Sequence, residues 1–238
     1  MSNNIIFFRD IKFYNISPKK VLDKMIDEGG YLVAPAASSL QTIDNNRLYY
    51  RALKDSTVAI LDSGFFCILL RIFNKVKVNK LSGYLLMKSF LSKTSIKKKR
   101  ILLINPNVNE SKINYRFLKK KKFLNINSYI APQYNAPHLL DDHKLIKVIK
   151  NLKPDIILIN ISGEKQEILA RFIHKKIQNK KISIFCLGAA IGFFTGTQAR
   201  VTVFADKLYI GWLVRWIRQP FKFLPRVFNS FKLIKLFF

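Results

Sequence analysis

The sequence predicts an α/β fold with a mostly parallel sheet, crossover helices and a basic, aromatic C-terminal helical appendage. Short β-rich runs alternate with segments of helical period along most of the chain. Ile101-Leu-Leu-Ile104 and Ile156-Ile-Leu-Ile159 are apolar without interruption, as strands covered on both faces require. Beyond Ala205 the pattern gives way to cations interleaved with Trp212, Trp216 and several Phe.

In chain order, strands are expected at Tyr31–Val33, Thr57–Leu61, Arg100–Asn105, Ile126–Ile130, Asp155–Ile161 and Ile182–Leu187. Each run is short and rich in β-branched or aromatic residues, which favours a strand over a helix. The clearest helix is Glu164–Ile177, where Ile168, Leu169, Phe172, Ile173 and Ile177 form one apolar stripe opposite Lys165, Arg171, Lys175 and Lys176. Asp141-Asp142-His143 precedes another helical pattern and reads as its cap. The basic run Lys97-Lys-Lys-Arg100 separates two halves of one sheet, and Lys119–Lys122 follows a helix. This organisation amounts to a core over residues 1–204 and an appendage over 205–238, without internal repeats.

At 238 residues and 49% hydrophobic, the chain can bury a full core, which excludes disorder as a description of the whole. The formal charge of +28 predicts an anionic partner: nucleic acid, anionic lipid or a phosphorylated substrate. A base-composition bias towards Lys, Ile, Asn and Phe would produce the same excess, so charge alone does not choose. Neither basic run is joined to a nucleic-acid-binding motif or to exposed aromatics, which makes nucleic acid the weaker partner. Cys67 and Cys186 sit inside apolar runs and read as buried thiols in a reducing compartment. No basic leader precedes a long apolar region, and every apolar run is shorter than the roughly 18 residues of a spanning helix. A cytosolic or peripheral protein is expected.

The segment after Ala205 carries seven basic residues and one acid, Asp206. Such a cationic, aromatic stretch suits a membrane interface, although Leu208 to Ile217 could equally be a helix packed on its own domain. For Phe231–Phe238 the membrane is favoured, because so apolar an end otherwise lacks a partner.

Three turns offer chemistry. Ala59-Ile-Leu-Asp62-Ser63-Gly64 delivers a carboxylate and a glycine from a strand end, where ligands meet catalytic side chains in α/β proteins. Asp62 could act as a general base, with Ser63 and Gly64 bringing backbone N–H groups to a phosphate or sugar; a plain turn or helix cap accounts for the segment alone. Ser162-Gly163-Glu164-Lys165-Gln166-Glu167 repeats the pattern, and its two acids could merely complement a helix dipole. Gly188 to Gly196 supplies small residues after a strand, without a Walker or GxGxxG fingerprint. His138, His143 and His174 lack metal-ligand spacing, and no Asp-x-Asp is placed to hold a nucleotide-bound metal. A diphosphate leaving group would then need Arg or Lys for charge neutralisation.

Taken in order, Val33-Ala-Pro-Ala-Ala37, Ala59 to Gly64, Leu81-Ser-Gly83, Pro154 to Ile159 with Gly163 to Glu167, Gly188 to Gly196, Arg200, and Trp212 to Arg215 with Gln219-Pro220 resemble the WecG/TagA/CpsF glycosyltransferases. The resemblance runs from roughly Val33 to Arg226. It implies a Rossmann-like fold whose C-terminal appendage supplies basic residues and membrane contact. The implied activity is metal-independent hexosyl transfer with inversion, from a UDP-sugar to a polyprenyl-diphosphate-linked acceptor at the inner face of the cell membrane. No cofactor is implied.

Residue by residue, the resemblance makes Asp62 the catalytic base and Gln166 the active-site glutamine. Arg215, Lys222 and Arg226 fall near the appendage's basic positions and would neutralise the departing diphosphate. Lys80 takes roughly the place of a family arginine, and Ser63, Gly64, Gly163, Gly188 and Arg200 belong to its substrate-binding segments. Four departures bear on sugar identity. Ala34-Pro35-Ala36 replaces Thr-Pro-Asn, Gly192 stands where aspartate is common, Val201-Thr202 replaces Ala-Pro, and Gly211 replaces glutamate. They point to a divergent branch nearer the exopolysaccharide or lipopolysaccharide enzymes. Two other classes compete: a basic nucleic-acid-binding protein and a non-catalytic membrane scaffold.

Overall fold

The computed structural model describes residues 4–134, 140–177, 181–198 and 220–238, with the backbone alone at 220–223 and 226. Among them, β1 (Ile5–Phe8), β2 (Ile11–Tyr14), β3 (Gly30–Val33), β4 (Val58–Ile60), β5 (Arg100–Asn105), β6 (Asn125–Ile130), β7 (Ile156–Ile159) and β8 (Ser183–Cys186) form one sheet. Its spatial order is β1-β2-β4-β3-β8-β7-β5-β6, a Rossmann-like α/β arrangement. Every pairing is parallel except β1 with β2. The expected division into halves holds, since β1 to β4 and β5 to β8 occupy opposite sides and meet where β3 pairs with β8 from Gly30↔Ser183 to Val33↔Cys186.

Six strands coincide with the six predicted runs, each within one or two residues at its ends. The β1–β2 hairpin was not expected. Its two turn residues, Arg9 and Asp10, both have positive φ, 49° and 60°. A two-residue hairpin turn of this kind favours Asn-Gly or Asp-Gly, so Arg-Asp gives no turn signal.

Period-2 alternation sends the central strands' side chains into two cores. Ile101 and Leu103 of β5, Leu32, Ile60, Leu158 and Phe185 pack beneath α1 (Pro18–Glu28), α5 (Gly83–Ser92) and α6 (Val108–Lys120). Leu102, Ile104, Val33, Ile157 and Ile184 pack beneath α3 (Arg47–Lys54), α4 (Gly64–Phe73), α7 (His143–Leu152) and α8 (Lys165–Lys176). The α8 stripe behaves as its period predicts: Ile168, Leu169 and Ile173 are buried, and Phe172 and Ile177 flank them. Asp142 caps α7, accepting from Leu145 N–H at 2.9 Å. Cys67 and Cys186 are free and buried, and burial pushes the Cys67 thiol up to about 12. Gly30 has φ +89°, and a Cβ there would lie 2.0 Å from Thr57 Oγ1, so the start of β3 has room for hydrogen only.

The C-terminal segment corrects one expectation. After the short α9 (Gly192–Thr195), the next helix among the described residues, α10 (Pro220–Phe231), lies against α2 (Ala37–Leu40), and a 3₁₀ segment, Lys232–Phe237, follows it. Leu233 and Leu236 are buried in the same core as β1, β2 and α4. The Phe237 ring packs on Phe8 and Phe73 at centroid distances of 4.7 and 5.3 Å, and Arg9 Nε donates to the Leu236 carbonyl at 3.1 Å. The apolar end therefore has a partner in its own fold, and want of one is no argument for membrane contact. Phe228, Phe231 and Phe238 nonetheless stay exposed. The junction proposed at 204/205 and the segment 208–217 lie outside the described residues. Among the described residues no helix is long and apolar enough to cross a membrane.

Candidate functional site

The C-terminal ends of four adjacent parallel strands, β4, β3, β8 and β7, open onto one cavity of about 190 Å3. Each strand contributes through the turn that follows it. Ala34 and Ala36 come from the turn after β3, Asp62 from that after β4, Gly163 from that after β7 with Gln166 in the first turn of the α8 it launches, and Leu187, Ala189 and Ala190 from that after β8. Ligands of open α/β sheets lie in this crevice because converging loops and helix N-termini leave backbone donors there.

Asp62 is half-buried and does not cap its own helix. Ser63 does so, its Oγ accepting from Phe66 N–H at 3.3 Å, and Gly64 is the first residue of α4. The Asp62 carboxylate turns to the next helix, where Oδ1 accepts from Gly83 N–H at 2.6 Å at the N-terminus of α5. That position complements negative charge. Lys80 lines the cavity beside Asp62, so a cation and a carboxylate share its wall.

Opposite them, Gln166 is buried at 4% exposure and held at both ends of its amide. Its Oε1 accepts from Gly188 N–H at 2.8 Å, and its Nε2 donates to Glu167 Oε1 at 2.8 Å. Gly188 has φ +53°, a left-handed conformation that aims its N–H at Gln166. The turn that launches α8 is strained at Glu164, with φ 66° and ψ −53°, the rare γ-turn geometry. Asn46 Nδ2 donates to Glu164 Oε2 at 3.1 Å and ties that turn to α3. Glu167 is 1% exposed, and burial pushes its carboxyl up to about 7, against the opposing pull of the Gln166 hydrogen bond.

The sequence-predicted residues Asp62, Lys80, Gly163 and Gln166 thus meet around one cavity. Ser63, Gly64 and Gly188 do not line it; they cap α4, open α4 and hold Gln166. Lys222 and Arg226 belong to α10, which packs on α2 directly after the Ala34–Ala36 lip, and their side chains lie outside the described atoms. Arg200 and Arg215 lie outside the described residues. Glu167, Tyr84, Phe193 and Gln198 also line the cavity and were not singled out as site residues. Tyr84 stacks on Phe194 at 5.0 Å and meets the edge of Phe193 at 6.0 Å, giving one apolar wall. At Gly192 a Cβ would meet Gln198 Cγ and Thr197 Oγ1 at 2.6 Å, so Gln198 occupies the space an aspartate would enter.

The cavity offers a carboxylate able to take a proton, an immobilised amide, a cation and an aromatic wall. Among the described residues no group of three or more His, Cys, Asp or Glu is placed to hold a metal ion. The sequence model of the glycosyl transferase WecG/TagA/CpsF family matches residues 6–238. The chain belongs to the WecG/TagA/CpsF glycosyltransferase family. The match extends from β1 to the last residues of the 3₁₀ segment, so core and C-terminal helix are both part of the family's unit. No curated protein matches the chain significantly. Membership makes it a transferase of cell-surface polysaccharide synthesis, with a sugar donor and an acceptor as substrates.

Proposed function

We propose that the protein transfers a hexose, N-acetylmannosamine-like or related, from a UDP-sugar to a polyprenyl-diphosphate-linked acceptor, with inversion and without a metal. The observation that carries this reading is the Asp62 carboxylate held by Gly83 N–H on the cavity wall, with Lys80 beside it and the Gln166 amide across from it. In a single displacement Asp62 takes the proton of the acceptor hydroxyl. The new C–O bond then forms at the anomeric carbon as the bond to the diphosphate breaks, and UDP departs. Lys80, with Arg200, Arg215, Lys222 and Arg226, supplies positive charge to the departing diphosphate. Packing of α10 on α2, next to the cavity lip, supports that role for the last two.

Membrane contact rests on the exposed Leu224, Phe228, Phe231 and Phe238 together with Lys232 and Lys235, a cationic, aromatic face suited to anionic lipid at the inner membrane surface. A thermal-shift panel of UDP-sugars tests the donor, since a ligand of the native state alone raises stability by mass action. Asp62→Asn is expected to fold, to keep UDP-dependent stabilisation and to lose roughly 100-fold or more in transfer, within the range of general-base catalysis. Absence of UDP stabilisation in the native protein, or full transfer by the variant, would overturn the reading.

A further inference from the structure

A carboxyl group buried beside the catalytic amide is costly to keep. Glu167 is 1% exposed, and its Oε2 has no hydrogen-bond partner among the described residues. An apolar residue of similar length would spare the fold that desolvation. Its other oxygen, Oε1, accepts from Gln166 Nε2 at 2.8 Å, while Gly188 N–H donates to Gln166 Oε1 at 2.8 Å. The two contacts select one of the two orientations of the amide, nitrogen towards α8 and oxygen towards the turn after β8. Without an acceptor at 167, the hydrogen bond left among the described residues to oppose rotation about the end of the Gln166 side chain is the Gly188 contact. The Gly188 contact is fixed by a left-handed backbone, so the adjustable half of the clamp is Glu167.

We propose that Glu167 is a positioning residue, whose buried carboxyl fixes the Gln166 amide in the orientation that meets the bound sugar. This rests on the transferase reading above, in which Gln166 faces substrate across the cavity from Asp62. Glu167 acts through Gln166 and takes no part in the bond changes. The requirement at 167 is a hydrogen-bond acceptor, which glutamine supplies and methionine of like length does not.

The test compares Glu167→Gln and Glu167→Met in the full chain, by transfer kinetics with the UDP-sugar identified by thermal shift and by ¹⁵N spectra of the side-chain amides. Glu167→Met is expected to lower kcat roughly ten- to a hundredfold with KM for the donor changed less than about threefold, since orientation rather than affinity is lost. Glu167→Gln is expected to recover most of that kcat. The Gln166 side-chain amide, assigned by its disappearance in Gln166→Ala, should shift and broaden in Glu167→Met but remain sharp in Glu167→Gln. Wild-type kcat in a folded Glu167→Met protein, equal impairment of the two variants, or an unmoved Gln166 amide in Glu167→Met would each overturn the proposal. The amide spectrum needs no substrate. A wild-type protein that transfers nothing from any UDP-sugar, with the amide pattern as expected, therefore refutes the donor assignment and leaves the positioning role standing.

Discussion

Glu167→Gln should change the pH dependence of stability, and the size of the change follows from burial. In the unfolded chain this carboxyl titrates near its ordinary value of 4.5, and in the folded protein at about 7. Between those values the native state holds a proton that the unfolded state has released, so stability falls as pH rises. The contribution is fully present below 4.5 and lost as pH passes through about 7. At about 1.4 kcal/mol per pH unit, the interval amounts to roughly 3 kcal/mol. Glutamine keeps the acceptor for Gln166 and cannot ionise, so the variant lacks this slope. Urea denaturation of both proteins from pH 4.5 to 8 gives the difference directly, because the other titrating groups contribute to both and cancel. The variant should gain on the wild type by about 3 kcal/mol across that range, or about 6–12 °C in Tm for a domain of this size. Parallel stability curves, or a variant that loses ground as pH rises, would refute a buried, proton-holding Glu167.

Three further perturbations probe the frame around the site. Leu233→Ala removes a fully buried side chain from the core shared with β1, β2 and α4, and should cost about 3 kcal/mol and increase proteolysis in residues 220–238. Gly30→Ala drives a methyl into Thr57 at the start of β3, and should abolish soluble expression or lower Tm by 10 °C or more, read by circular dichroism. Asp142→Ala removes the α7 cap and the acceptor of the Tyr129 and Tyr134 hydroxyls, at a cost of about 2–4 kcal/mol in urea denaturation; Asp142→Asn should lose less than half of that.

The parallel strands were legible because two-sided burial leaves an uninterrupted apolar run, as in Ile101 to Ile104. The hairpin escaped because Arg9 and Asp10 take left-handed conformations without the residues that advertise them. Asp62 could be read as a strand-end carboxylate, but its partner is Gly83, 21 residues on, which only the fold brings near. Glu167 was legible as a helix acid and illegible as a buried one, since an acid in a helix's first turn ordinarily faces solvent. Tyr84 follows the Leu81-Ser-Gly83 segment and Phe193 lies inside the Gly188–Gly196 turn, yet an aromatic ring beside a motif announces no chemistry of its own; Gln198 lies just past that turn, and the absent side chain at Gly192 was its one trace in the sequence. The partner of the terminal Phe-Lys-Leu-Ile-Lys-Leu-Phe-Phe was illegible because its hydrophobicity says that it needs cover and not what provides it.

Arg9 and Leu236, 227 residues apart in the chain, share a hydrogen bond, and Phe8 and Phe237 pack against each other. During synthesis the face of the sheet bearing Phe8 and Phe13, with Phe66 of α4 packed on it, thus emerges well before the residues that close it. Such late, long-range closure folds slowly and leaves aromatic surface open to aggregation in the interval. Deleting residues 206–238 to test lipid binding would recreate that open state. Liposome binding is better read from Phe228→Ser and Phe238→Ser, which alter the outer aromatics and leave the clasp between the two ends of the chain shut.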